Sequence, residues 1–302
     1  MHQVTINNDL IGLTTLDYGA IVQKILIKDK NGREHNCAIG FESPEDYLKD
    51  HRFLGACVGR FAGRISKGQF SIAETTYQIF EEDGVHLHGG QQGFGRRFWK
   101  LIDHSEAPDP CVTYQYISPH LEEGYPGQVI VNVTYQLLGN SLKILHKATT
   151  DRPTIVNLTN HSYFKLDEET TLDDLVLQIQ SEKRLVTDEK LLPTGHIELV
   201  ENTKFDFRQP KRIENLRLDT PYVVDPAKKP LAIVRSLRSG IQLSVSSNQP
   251  ALVVYTPEDL AAICFETQNY PDAPNQPSFP SSLLLPGETY INESFFTFDL
   301  VP

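Results

Sequence analysis

No apolar run in this 302-residue chain approaches the length that spans a bilayer. The opening residues, Met1-His2-Gln3-Val4-Thr5-Ile6-Asn7-Asn8-Asp9, lack the basic-then-apolar pattern of a signal peptide. Cysteine is scarce: Cys37, Cys57, Cys111 and Cys264 stand far apart, without paired ligand spacing. They read as reduced, mostly buried thiols of a cytoplasmic protein. The glycosylation patterns at Asn132-Val133-Thr134 and Asn292-Glu293-Ser294 then have no consequence. Positive charge is short too, with 28 Lys and Arg against 39 Asp and Glu and a formal net charge of −11. That balance favours solubility and speaks against a nucleic-acid partner. Long helical periodicity, internal repeats and low-complexity linkers are also missing. With no long helices alternating with strands, a parallel α/β sheet is not expected.

What the chain does have is strand. Val129, Val131, Val133, Tyr135 and Leu137 alternate with Ile130, Asn132, Thr134 and Gln136. Gly139-Asn140 turns the chain, and Leu142, Ile144 and Leu145 continue it. Ile21 to Lys28 alternates in the same way, Lys30 to Arg33 supplies a turn, and Cys37-Ala38-Ile39 reads as the return strand. Ser43-Pro44 opens a short helical turn. Further strands are expected at Leu231 to Val234, Ile241 to Val245, Leu252 to Tyr255 and Phe295 to Leu300. The pattern predicts an all-β protein, one large and largely antiparallel β-sandwich domain over residues 1–302 with a few short helical turns.

The stretch Thr154 to Phe164 organises the rest. After a β-branched start, Asn157, Thr159, Asn160, His161, Ser162 and Tyr163 crowd together. Buried polar groups need partners, so the cluster predicts a hydrogen-bond network that fixes one side chain, His161. In His86-Leu87-His88-Gly89-Gly90, the paired glycines permit a sharp bend or the close approach of a ligand. His88 is therefore expected to face a ligand, with His86 outward or structural. A metal site would need further ligands, and no nearby Glu or third His supplies them. Arg60 and Arg64 sit among small residues, each suited either to hydroxyl or carboxylate binding or to a solvated loop. Glu266 stands inside an apolar strand, where a carboxylate needs a partner and a shifted pKa. Lys183, Arg184, Glu189 and Lys190 read as a solvated face, and Tyr270 to Pro277 as one long loop.

Taken in order, these stretches resemble the aldose 1-epimerase (galactose mutarotase) family from Ile25 to the C-terminus. The resemblance is carried by Gly59-Arg60 with Arg64-Ile65, Leu87-His88-Gly89-Gly90, Glu123-Gly124-Tyr125-Pro126-Gly127 and Asn157 through Phe164. Pro193-Thr194-Gly195, Glu266-Thr267-Gln268 with Pro271-Asp272-Ala273, and Pro286-Gly287-Glu288 complete it. It implies a galactose-mutarotase-like β-supersandwich and an isomerase that interconverts the α and β anomers of a free aldohexose. It also implies His161 as general acid, Glu266 as general base, and Arg64, His88 and Asp219 as sugar-binding residues, with neither metal nor other cofactor. The chemistry is coherent: ring opening takes a proton from the C1 hydroxyl and gives one to the ring oxygen, and a carboxylate and an imidazolium on opposite sides of the sugar can do both. The chain departs from the family pattern at Gly63, where Asn is usual, at Val253, where Gln is usual, at Thr220-Pro221 after Asp219, and at Lys165. These departures leave the sugar open. Alternatives are an epimerase of a different or phosphorylated sugar, with Arg96 and Arg97 as phosphate ligands, and a catalytically silent carbohydrate-binding protein. The expected partner is a small-molecule sugar, with neither nucleic acid nor membrane, and the expected state is monomer or homodimer.

Overall fold

Alternation decides which residues go inside. In the strand Val129–Leu138 the side chains of Val129, Val131, Val133, Tyr135 and Leu137 are buried and their neighbours are not. A computed structural model of the chain describes residues 1–167, 171–214 and 216–301. This strand is part of a nine-stranded sheet that runs, in spatial order, Lys100–Ser105, Cys111–Ser118, Val129–Leu138, Ser141–Thr150, Tyr290–Leu300, Ile241–Ser247, Ala232–Ser236, Leu175–Ile179 and Lys211–Arg212. A six-stranded sheet packs on it, in the order Tyr163–Phe164, Ile263–Gln268, Ala251–Tyr255, Asp219–Val223, Lys183–Thr187 and Pro193–Leu199. A four-stranded meander at the N-terminus, Gln3–Asn7, Ile11–Leu16, Ile21–Lys28 and Glu34–Asn36, adds Ile6, Leu13, Val22 and Ile25 to the same apolar core. All paired strands among the described residues are antiparallel, and helix is confined to short 3-10 turns. The fold is all-β, with the two large sheets packed over one apolar core.

Two strands of the six-stranded sheet are buried on both faces, and that is what creates a site. Leu252, Val254, Ile263 and Phe265 face the core shared with the large sheet. Val253, Tyr255, Glu266 and Gln268 point the other way and are covered by loops rather than by water. The covering residues are 51–53, 63–64, 87–88, 191 and 271.

Several local expectations needed correction. The strand that returns from Ile21–Lys28 is Glu34–Asn36, not Cys37 to Ile39, because Leu26, Ile27 and Lys28 pair with Asn36, His35 and Glu34. Cys37 and Ala38 still enter the core. Ser43 begins the 3-10 turn Pro44–Lys49 but its hydroxyl donates to Glu45 instead of capping the main chain. In the charge run, Arg184 is not simply solvated: it pairs with Glu198 at 2.6 Å and lies 3.9 Å over the Phe205 ring.

Arg60 is the larger surprise. It is only 2% exposed, and its guanidinium donates to the carbonyls of Pro126 at 2.8 Å and Gly127 at 3.0 Å and to the Ser118 hydroxyl. Burial lowers its pKa to about 10, still far above neutrality. The cation therefore ties the loop around Pro126 to the strand end at Ser118. Arg60→Ala would leave those carbonyls unpaired beside a cavity, and the expected loss is about 3 kcal/mol or more of unfolding free energy. Urea titration measures it; a loss below about 1 kcal/mol would show that water replaces the guanidinium without penalty.

Candidate active site

The five residues singled out in the sequence, Arg64, His88, His161, Asp219 and Glu266, line one cavity of about 220 Å³. Its volume suits one small molecule and not a polymer. The floor is the six-stranded sheet. Glu266 lies directly beside Val253, and Val253 beside Pro221; in the next row Cys264, Tyr255 and Asp219 align. Side chains two residues apart share a face, so this register sets Glu266 and Gln268 on one strand near Val253 and Tyr255 on the next, all lining the cavity.

His161 enters from the polar stretch. Thr159–Asn160 pairs with Cys57–Val58, and the main chain of His161 bonds to Ala56 and Gly55. The expected polar network exists, but it ends elsewhere. Asn157 donates to the carbonyl of Ala62 and accepts from the Asn269 amide at 2.8 Å. Asn160 donates to Gly55 and accepts from Ser162. These bonds lock the segments around the cavity and leave the imidazole alone. His161 Nδ1 has no hydrogen-bond partner beyond its own residue among the described residues. Its ring is held by aromatic neighbours, Tyr163 stacked at 5.0 Å and Phe53 at 6.4 Å.

His161 Nε2 lies 3.5 Å from Glu266 Oε1, and both side chains are buried. The pair adjoins, where the sequence suggested two groups on opposite sides of a ligand. Burial shapes both. It pulls the imidazole down to about 4, and it lifts the carboxyl to about 8, with the charge on Asp219 adding to the rise and Arg64 opposing it. Between those limits the two groups together keep one proton, and the two titrations belong to the pair. An acid and a base side by side sharing one proton is what a two-proton exchange at a single carbon requires.

The remaining residues surround this pair. Arg64 Nη2 donates to Asp219 Oδ2 at 3.2 Å, leaving the rest of the guanidinium fork and the other carboxylate oxygen for a ligand. His88 leaves the strand Val85–Leu87 with a φ of +50° and turns inward, while His86 points into the interior against Tyr125 and the Phe80 carbonyl. On a regular strand two rings at this spacing would share a face; the positive φ of His88 turns them apart. His88 Nδ1 accepts from the Gly63 amide at 3.2 Å, which puts the proton of the neutral ring on Nε2, available to donate.

The fold also supplies what the neighbouring sequence lacked for a metal site. The ligand atoms of His88, His161 and Glu266 lie within 4.8 Å of one another. Their outer contacts do not suit metal binding. A ligating imidazole gives its other N–H to a carbonyl or carboxylate, whereas His88 Nδ1 accepts a hydrogen bond and His161 Nδ1 meets no outside partner. The donor set fits proton transfer better than coordination.

Phe53, Tyr255 and Gln268 also line the cavity and were not singled out in the sequence. Arg96 and Arg97 do not reach it. Arg97 pairs with Glu122 at 3.1 Å, and Arg96 donates to the Gln91 carbonyl and lies over the Phe53 ring.

A buried carboxylate–imidazole pair beside a sugar-sized cavity on the six-stranded sheet is an acid–base site. Comparison with known proteins gives the class. The aldose 1-epimerase family model matches residues 2–296. Human galactose mutarotase is 34% identical over 322 aligned residues, covering 98% of this chain and 93% of its own. An aldose epimerase homologue from C. elegans superposes with a TM-score of 0.94 at 31% identity, over 100% of this chain and 99% of that one. The galactose 1-epimerase of Lactobacillus acidophilus follows at 0.89 and 30%, over 99% and 95%. The chain belongs to the aldose 1-epimerase family and is an isomerase of carbohydrate metabolism.

Proposed function

We propose that this protein interconverts the α and β anomers of a free aldohexose, with Glu266 as general base and His161 as general acid. The observation that carries the reading is the buried Glu266–His161 pair, Nε2 3.5 Å from Oε1, in the same cavity as Arg64, Asp219 and His88. The C1 hydroxyl oxygen and the ring oxygen are bonded to one carbon, so an adjacent acid and base serve both. A C1 hydroxyl donating to Glu266 favours the carboxylate form, and the shared proton passes to His161. Glu266 then takes the hydroxyl proton as His161 protonates the ring oxygen, and the C1–O5 bond breaks. After rotation about C1–C2 the ring closes from the other face and both protons return. No oxidant, reductant or metal enters the balance. Arg64 and Asp219 hold neighbouring hydroxyls, and the Nε2 proton of His88 stabilises charge on oxygen.

A free sugar fits better than a phosphorylated one. Arg97 is occupied by Glu122, Arg96 lies outside the cavity, and Arg52 at the rim is paired with Asp259. Selectivity among free sugars is expected to be low. Val253 and Pro221 form an apolar stretch of floor beside Glu266, and Gly63 contributes no side chain. Where no buried polar group reads a hydroxyl, discrimination stays near a hundred-fold or below. Polarimetry on freshly dissolved α-glucose and α-galactose is expected to show fast mutarotation of both, with kcat/KM values within about a hundred-fold. Rotation no faster than buffer on either sugar would sink the epimerase reading and leave a carbohydrate-binding protein. Four free cysteines and a net charge of −11 support a cytoplasmic setting without a nucleic-acid partner. No helix among the described residues is long and apolar enough to cross a membrane. One cavity built within one chain asks for no second copy, so we place the active unit at the monomer, with a homodimer compatible.

A further inference from the structure

The imidazole at the centre of the proposed mechanism touches Glu266 through Nε2 at 3.5 Å, but its Nδ1 meets no outside partner among the described residues. A proton-transfer group must nevertheless be held in place. Tyr163 stacks on the ring at 5.0 Å, and Phe53 supplies a second restraint that reaches both imidazoles. Its ring stacks against His161 at 6.4 Å with 27° between planes and meets His88 edge-on at 5.1 Å. The two imidazoles in turn contact each other edge-on at 5.4 Å. Arg96, which the sequence marked and the mechanism leaves unused, lies 5.0 Å over the Phe53 ring, anchored by a 2.6 Å bond to the Gln91 carbonyl.

The backbone gives a second, independent sign. Phe53 has a φ of +58°, a left-handed conformation that a bulky residue rarely adopts. Strain of this kind persists where surrounding structure enforces it, and it concentrates at functional sites. The enforcing bonds are present. The Ala56 amide donates to the Phe53 carbonyl at 3.0 Å, the Gly55 amide donates to the His161 carbonyl at 3.0 Å, and the His161 amide donates to the Ala56 carbonyl at 2.9 Å. The segment carrying Phe53 and the segment carrying His161 are thus stitched together through their main chains.

We propose that Phe53, held by Arg96, is a positioning residue that clamps the His161 and His88 rings and keeps water off that side of them. The proposal rests on the reading of His161 as general acid. The titratable groups facing His161 are His88, Glu266, Tyr163 and Tyr255, with Arg64 and Asp219 behind them. His51 and Arg52, beside Phe53 in sequence, line the same cavity, with Arg52 paired to Asp259; Phe53 carries no charge and acts by excluding solvent and by packing.

The test is the titration of the His161 ring by nitrogen NMR in sugar-free protein, beside kinetics. Phe53→Leu admits water, and the His161 midpoint is expected to move up toward the ordinary histidine range. In the same variant kcat falls about tenfold or more and KM changes little, because orientation and not binding is lost. Phe53→Tyr keeps the ring and is expected to restore both. Arg96→Lys keeps the charge without the planar guanidinium and gives a smaller loss of kcat. An unmoved midpoint in Phe53→Leu, or a loss confined to KM, overturns the proposal. If Phe53→Leu does not fold, Phe53→Met serves with the same two outcomes. Because the midpoint is read without sugar, a wild type lacking anomer exchange would defeat the assigned reaction while the clamp is still decided by its own measurement.

Discussion

Glu266→Gln is expected to lower kcat by about a hundred-fold or more and, at alkaline pH, to make the protein more stable. Both effects come from one burial. The carboxyl is 4% exposed, and its pKa is lifted to about 8, chiefly by loss of water and next by the charge on Asp219. The folded chain therefore holds a proton that the unfolded chain has released. Stability from this site is present at low pH and is lost as pH rises from the ordinary carboxyl range through about 8. At pH 9 the wild type keeps a buried charge that Gln does not carry. Urea titration at pH 9 should find the variant more stable by on the order of 3 kcal/mol, with the difference fading toward pH 4. The loss of catalysis and the gain of stability are opposite in sign, so simple damage to the fold cannot produce both. A variant less stable than wild type at pH 9 would mean that the charged carboxylate is well satisfied where it lies, and that it is no strained base.

How much of this was legible beforehand depends on the range over which each signal acts. Alternation is local, so the strand from Val129 was readable almost to the residue. Glu266, His161 and His88 were legible because each stands out locally: a Glu in an apolar strand, a His in a crowded polar run, a His before paired glycines; Asp219 and the role of Arg64 came from the family resemblance. That Arg64, His88, His161, Asp219 and Glu266 meet in one cavity is a matter of sheet register, which no local window contains. The same limit hid the role of Arg60, whose partners lie from Ser118 to Gly127. It also hid Phe53, an aromatic residue in a loop with nothing around it in sequence to mark a left-handed backbone. The polar stretch shows the subtler failure. Its hydrogen bonds were foreseen, but their direction was not, since Asn157 and Asn160 reach main-chain groups at Ala62, Asn269 and Gly55 instead of the neighbouring imidazole.

The pH dependence of the His161 variant separates a shared-proton pair from two independent groups. In the wild type the active form holds one proton between Glu266 and His161, so kcat/KM should fall below about pH 4, where a second proton binds, and above about pH 8, where the last one leaves. His161→Asn removes one proton-binding site. The surviving catalytic group is then a base that works only when ionised, and activity, lowered about a hundred-fold or more, should rise with pH through the Glu266 transition. The acid limb thus moves from about 4 to about 8, and the alkaline fall disappears. Glu266→Gln should do the reverse, leaving an acid that must be protonated and an activity that declines as pH climbs past about 4. Pre-steady-state polarimetry across pH 4 to 10 reads all three profiles. Should His161→Asn keep the bell of the wild type with only its height reduced, the proton is held elsewhere. Asp219, which already raises the Glu266 pKa and touches Arg64, would then be the next residue to test as the acid.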